Sequence, residues 1–120
     1  MKFSTSHLWV KDDKDMAVVG ISDFLTNQLS EIVSINIIEE GSSIAKEQEV
    51  GQVEATKSII DILSPLSGEI IKINKDLMQN PDKLTTLKED KRWIFEIKVS
   101  DKSEYDQLLE ETEYSKLLSG

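Results

Sequence analysis

Apolar and polar residues alternate along most of this chain in short runs, and those runs set its expected elements. Leu8-Trp9-Val10 and Met16-Ala17-Val18-Val19-Gly20-Ile21 read as two strands joined by the charged turn Asp12-Asp13-Lys14-Asp15. Ser22 then stands where a hydroxyl caps a short helix running to about residue 29, with Phe24, Leu25 and Leu29 on its inner side. Residues 31–38 alternate as a strand, Val33, Ile35 and Ile37 on one face and Ser34 and Asn36 on the other. Two further strands, Glu49-Val50-Gly51-Gln52-Val53 and Ser58-Ile59-Ile60-Asp61-Ile62-Leu63, flank a short polar interruption and read as a hairpin. After Pro65 and Gly68 comes another strand at 69–73. Asn74 then caps a short segment at 75–78, and Asn80-Pro81 stops it. A polar connection at 85–92 leads into Trp93–Val99, where alternation puts Trp93, Phe95, Ile97 and Val99 on one side.

From Ser103 the period changes. Tyr105, Leu108, Leu109, Tyr114, Leu117 and Leu118 recur at three-and-four spacing among acidic residues, which predicts a C-terminal amphipathic helix, or two short ones, laid over the sheets. Many short strands with peripheral helices imply a mainly β chain, a β-sandwich or flattened barrel. No low-complexity linker divides it, so residues 1–120 are expected to form a single domain. Trp9, Trp93 and Phe95 are expected in the core. Tyr105 and Tyr114 fit the inner face of the C-terminal helix, and His7, at the start of the first strand, reads as a hydrogen-bonded structural residue.

Composition removes several classes of function. The chain has no cysteine and one histidine, so disulfides, zinc–thiolate sites and a Ser-His-Asp triad lack their materials. Fourteen basic against twenty-three acidic residues give a net charge of −9, which disfavours nucleic acid and an anionic membrane surface. The first residues lack the apolar core of a signal peptide, and no run is long enough to span a bilayer, so a soluble, cytoplasmic protein is expected.

The candidate chemistry sits in the hairpin. Its turn carries Lys57 near the tip, exposed and without an obvious partner. Glu54-Ala55-Thr56-Lys57, Asp61, Ser64-Pro65 and Ser67-Gly68-Glu69 together resemble the lipoyl site of the glycine cleavage system H-protein family. The resemblance continues through His7-Leu8-Trp9-Val10, Val19-Gly20-Ile21-Ser22-Asp23, Asn80-Pro81 and Trp93-Ile94-Phe95-Glu96-Ile97. It implies a barrel-sandwich hybrid of two antiparallel sheets, with lipoic acid in amide linkage to Lys57. It also implies that Glu54, three residues before Lys57, and Gly68, eleven after, are read by the lipoylating enzyme, a lipoate ligase or a lipoyl/octanoyl transferase. Asp61 is a candidate for presenting the hairpin, or simply a polar residue on the outward side of its strand. Biotin carriers share the architecture but place their lysine between methionines, where Thr56 and Ser58 stand here. The family's members are carriers and not enzymes. A glycine decarboxylase loads the arm with the aminomethyl group of glycine, an aminomethyltransferase unloads it, and a dihydrolipoyl dehydrogenase reoxidises the dithiol. A monomeric shuttle is the simplest expectation.

The departures from the family pattern fall partly on the cargo. Leu8 stands where the family has a glutamate that helps hold the loaded amine in a surface cleft. Glu31, Glu39 and Glu40 are the candidate substitutes. An H-like paralogue serving lipoyl relay or sulfur oxidation is the alternative, and an unmodified interaction module with an inert Lys57 is a third reading. Ser30 and Glu47 stand where glycines are common and Ile38 where proline is, and Lys88-Glu89-Asp90-Lys91-Arg92 replaces a glycine-containing segment. Turns that relied on a positive φ are therefore expected to be built differently.

Overall fold

A computed structural model describes residues 1–119. The strands are β1 (Lys2–Phe3), β2 (Leu8–Asp13), β3 (Met16–Ile21), β4 (Ile32–Ile37), β5 (Ser43–Ile44), β6 (Glu49–Ala55), β7 (Ile59–Leu63), β8 (Gly68–Ile73) and β9 (Trp93–Val99). Short helices α1 (Asp23–Asn27), α2 (Lys75–Gln79), α3 (Lys83–Thr86), α4 (Ser103–Asp106) and α5 (Glu111–Ser119) connect or cover them. One antiparallel sheet runs β1-β2-β3-β9-β8-β5 and the other β4-β6-β7. The inward residues of both sheets, among them Val10, Val19, Ile35, Val53, Ile62 and Ile97, form one apolar core. The mainly β class is the one the alternation implied, and the two antiparallel sheets are those the resemblance implied.

The caps behave as read. Ser22 accepts from the Leu25 N–H at the start of α1, and Asn74 Oδ1 from the Leu77 N–H at the start of α2. The first charged turn is tighter than expected: Asp13 pairs with Met16, so only Lys14 and Asp15 lie outside the ladder, with Lys14 at φ 60°. The alternation pattern failed at bulges. Between Ile32 and Ser34 the register of β4 against β6 slips by one residue, which brings Ile32 inward and leaves Val33 51% exposed. In β9 a similar slip places Trp93 opposite Gly20 while Phe95 faces Val19, so Trp93 does not share the core face of Phe95 and Ile97. It packs instead with Trp9, Phe3 and Tyr114 on the far side of the larger sheet. There the Trp9 indole lies so close over Gly20 that a Cβ would meet it at 2.1 Å.

Four other expectations change. The pair β1 was too short to show a period, so His7 precedes the second strand and not the first; it adopts φ 71°. Residues 85–92 are more than a polar connection: they take in the end of α3 and a 3-10 turn, Glu89–Lys91, and end in a buried Arg92. That guanidinium donates to the Leu87 carbonyl at 3.0 Å and pairs with Asp23 at 2.7 Å, tying α1 to this segment. The C-terminal apolar stripe is only partly used, for Tyr114 is buried whereas Leu117 and Leu118 are 51% and 37% exposed. The turn at Glu47, expected to be built without a positive φ because no glycine stands there, instead keeps a left-handed φ of 71°.

Candidate functional site

The β6–β7 hairpin positions the candidate residues. Apolar positions Val53 and Ala55 face the core, which forces Glu54 outward on the neighbouring position of the pleat. Glu54 lies between Ser34 of β4 and Ile59 of β7 and accepts from the Ser34 hydroxyl at 3.3 Å. The strands end at Ala55 and resume at Ile59, so Thr56, Lys57 and Ser58 make the turn, closed by the Ala55 N–H donating to the Ser58 carbonyl at 2.8 Å. Lys57 is exposed at its tip, and its ammonium has no hydrogen bond or ion pair among the described residues.

The other candidates are not all gathered there. Asp61 lies on the outer face of β7, opposite Gln52, and accepts from the Gln52 amide at 3.1 Å. Gly68 belongs to the other sheet, at the start of β8, paired with Ile44 and Val99. What demands a glycine there is close approach: a Cβ would sit 2.0 Å from the Lys98 carbonyl oxygen. Leu8 is 1% exposed and part of the core opposite Ile21, so this position does not face a surface cleft. Glu31 is exposed beside the lysine turn. Glu39 and Glu40 line an open groove of about 540 Å³ with Ile37, Ile73, Lys75 and Met78. In that groove Glu40 accepts from the Ile73 N–H at 2.9 Å and lies 3.8 Å from Lys75.

A second polar cluster looks chemical in outline. His7 Nδ1 is 2.8 Å from the Tyr114 hydroxyl, which is 3.2 Å from Ser22 Oγ. Ser22 is wholly buried, so no substrate reaches it, and the cluster acts as a strut holding α5 to the capped start of α1. Burial lowers the pKa of His7 and raises that of Tyr114, favouring the neutral form of each. No group of three or more metal-ligating side chains occurs among the described residues, and none of their helices is long and apolar enough to cross a membrane.

Sequence reading singled out Ser30 only as a missing glycine. Its hydroxyl proves to accept from both Thr56 Oγ1 and the Lys57 N–H. Nothing in the local pattern signals that contact, because 26 and 27 residues separate the partners.

The sequence model of the family described as "Glycine cleavage H-protein" matches residues 1–120. The chain is 35% identical over 119 residues to the glycine cleavage system H protein of Hydrogenovibrio crunogenus, covering 98% of this chain and 92% of that one. It is 35% identical over 116 residues to "Glycine cleavage system H protein 3, mitochondrial" of Arabidopsis thaliana, covering 97% of this chain and 70% of the relative. The crystal structure of a glycine cleavage system H protein from Mycobacterium marinum has the same fold, with a TM-score of 0.85 at 22% identity over 99% of this chain and 96% of that one.

Proposed function

The chain belongs to the glycine cleavage H-protein family, and from that premise we propose that it is a lipoyl-bearing carrier with the attachment site at Lys57. The observation that carries the reading is the placement of Lys57: an exposed, unpaired amine at the tip of a hydrogen-bonded hairpin, with Glu54 three residues earlier facing the same solvent. An amine in this position fits an acyl group, because it has no ion pair to break and no neighbour to crowd the new amide.

Lys57 supplies the nucleophile. Having given up a proton, its Nζ forms the amide as the acyl donor's leaving group departs, and the side chain loses its charge. Glu54 and Gly68 serve recognition by the lipoate ligase or the lipoyl/octanoyl transferase, and Asp61, through Gln52, stiffens the outer face of the hairpin. The two sheets give the arm a fixed root. Once attached, the lipoyl group supplies the redox and group-carrying chemistry, and the protein contributes position. In the glycine-cleavage reading the carrier moves an aminomethyl group from glycine decarboxylase to the aminomethyltransferase and then meets dihydrolipoyl dehydrogenase.

One observation favours a second reading. Leu8 is sealed in the core, and a leucine offers no partner to an ammonium, whose unpaired burial costs several kcal/mol, by order of magnitude. A paralogue carrying lipoyl for relay or sulfur oxidation would need no such acid.

The test is intact mass after incubation with a lipoate ligase, lipoate and ATP, then with glycine and glycine decarboxylase. A lipoyl gain that is lost in Lys57→Arg, followed by an aminomethyl gain, is the expected result. A lipoyl gain that never loads, beside an authentic H protein that does, would transfer the case to the paralogue. No lipoyl gain would leave Lys57 an ordinary surface residue.

A further inference from the structure

The turn that carries Lys57 is tied to a segment outside its own hairpin. The Thr56 N–H donates to the Glu31 carbonyl at 2.9 Å, Thr56 Oγ1 donates to Ser30 Oγ at 3.0 Å, and the Lys57 N–H donates to the same oxygen at 3.3 Å. Regular pairing of β4 with β6 ends at Ile32 and Ala55, so these bonds continue the junction beyond the sheet. Two of the three run through one hydroxyl.

We infer that Ser30 is a positioning residue for the lysine turn. The Ala55–Ser58 bond closes the turn internally, but it does not fix the turn relative to the smaller sheet. Thr56, Lys57 and Ser58 are all exposed, so no buried apolar side chain in the turn anchors it. The hydroxyl of Ser30 draws the backbone N–H of Lys57 and the side chain of Thr56 toward the connection between α1 and β4. The lysine side chain is thereby left directed to solvent. An acylating enzyme then meets an acceptor already in one conformation, and binding does not have to select it from a mixture; a receptor that must select pays in apparent affinity by the competent fraction. Glycine at this position would provide the chain with no such oxygen. The role in acylation rests on the lipoyl reading of Lys57, whereas the clamp itself does not.

Amide hydrogen exchange of unacylated protein, read by NMR, and steady-state acylation by a lipoate ligase together test the inference. Ser30→Ala should speed exchange at the Lys57 amide and raise the KM for the protein as acyl acceptor, each by roughly two- to tenfold, with kcat unchanged. Ser30→Thr, which keeps the oxygen, should restore both. Adding Thr56→Val to Ser30→Ala should change KM little further, because both substitutions break the same contact. A merely structural role would instead lower the melting temperature and speed exchange evenly across β4, β6 and β7, with KM rising only at temperatures where part of the acceptor is unfolded. That pattern, or unchanged exchange and KM in Ser30→Ala, would overturn the assignment. A wild-type chain that takes no lipoyl from a ligase active on an authentic H protein would sink the acceptor reading and the role of Ser30 in it. The exchange measurement would then still report the clamp by itself.

Discussion

Gly68 and Glu47 show two different relations between a residue and its backbone. At Gly68 the obstacle to a side chain is the Lys98 carbonyl, and neither backbone can withdraw without loosening the β8–β9 ladder. Gly68→Ala is expected to destabilise by about 1–3 kcal/mol, visible as a lower melting temperature. The recognition role proposed for Gly68 predicts a further loss of acylation at temperatures where the variant is still folded. Glu47 is the reverse case. It is exposed, holds a φ of 71°, and donates its N–H to the Ser64 carbonyl at 2.7 Å, so the strained backbone is kept for that bond. Glu47→Gly should preserve the bond and leave stability unchanged or raise it by up to about 1 kcal/mol in chemical denaturation. At this scale Lys57 and Glu54 were legible because a hairpin turn and the residue three before it are local facts. Leu8 was legible as a departure, but its place in the core was not. Ser30 was invisible as a ligand of the turn, since its partners come from a distant strand.

The helix α5 is an element held by one residue. Tyr114 stacks on Phe3 with ring centroids 4.3 Å apart and reaches His7 and Ser22 with its hydroxyl. Tyr114→Phe keeps the stack and removes the hydroxyl contacts, and should cost about 1–2 kcal/mol in thermal or chemical unfolding. The same strut carries a pH dependence. When neutral, His7 Nδ1 is able to accept the Tyr114 proton; protonation turns it into a donor. Because burial lowers the folded pKa below the ordinary 6.5, the unfolded chain takes up this proton first as pH falls. The contribution of His7 is therefore complete above the unfolded value and declines from there down through the lower folded one. Unfolding measured across this window should show that decline in the wild type and lose it in His7→Asn, which tolerates the left-handed backbone. Asp15, Asp76 and Asp101, held below 3.8 chiefly by hydrogen bonds from Lys102, Lys83 and Ser103 respectively, act only at lower pH. Element reading succeeded for β3, β9 and the two capped helices, whose signals are periodicity and a hydroxyl or amide at the first turn. It missed the bulges at Val33 and Trp93 because a bulge is a property of two strands. It overvalued Leu117 and Leu118, since a helical stripe states which face is apolar and not how much of it finds a partner.

For the molecule as a whole, two sheets around one core turn an ordinary lysine into a presented one. The larger sheet and its helices hold the frame, while the smaller sheet carries the hairpin whose outer surface is acidic at Glu49, Glu54 and Asp61. The fold class was readable from alternating runs, and the family from motifs spread over nearly the full length. The pairing order β1-β2-β3-β9-β8-β5 was not, because β9 joins the preceding strand β8 to β3, which lies more than seventy residues earlier. Lys57→Arg touches none of this frame, so its unfolding should stay within about 0.5 kcal/mol of the wild type while acylation is abolished. The most direct measurement is peptide mass spectrometry of the protein purified from its own cells. The account predicts that the peptide spanning Lys57 carries a lipoyl amide. An unmodified Lys57, in cells whose other lipoyl domains are fully modified, would contradict it.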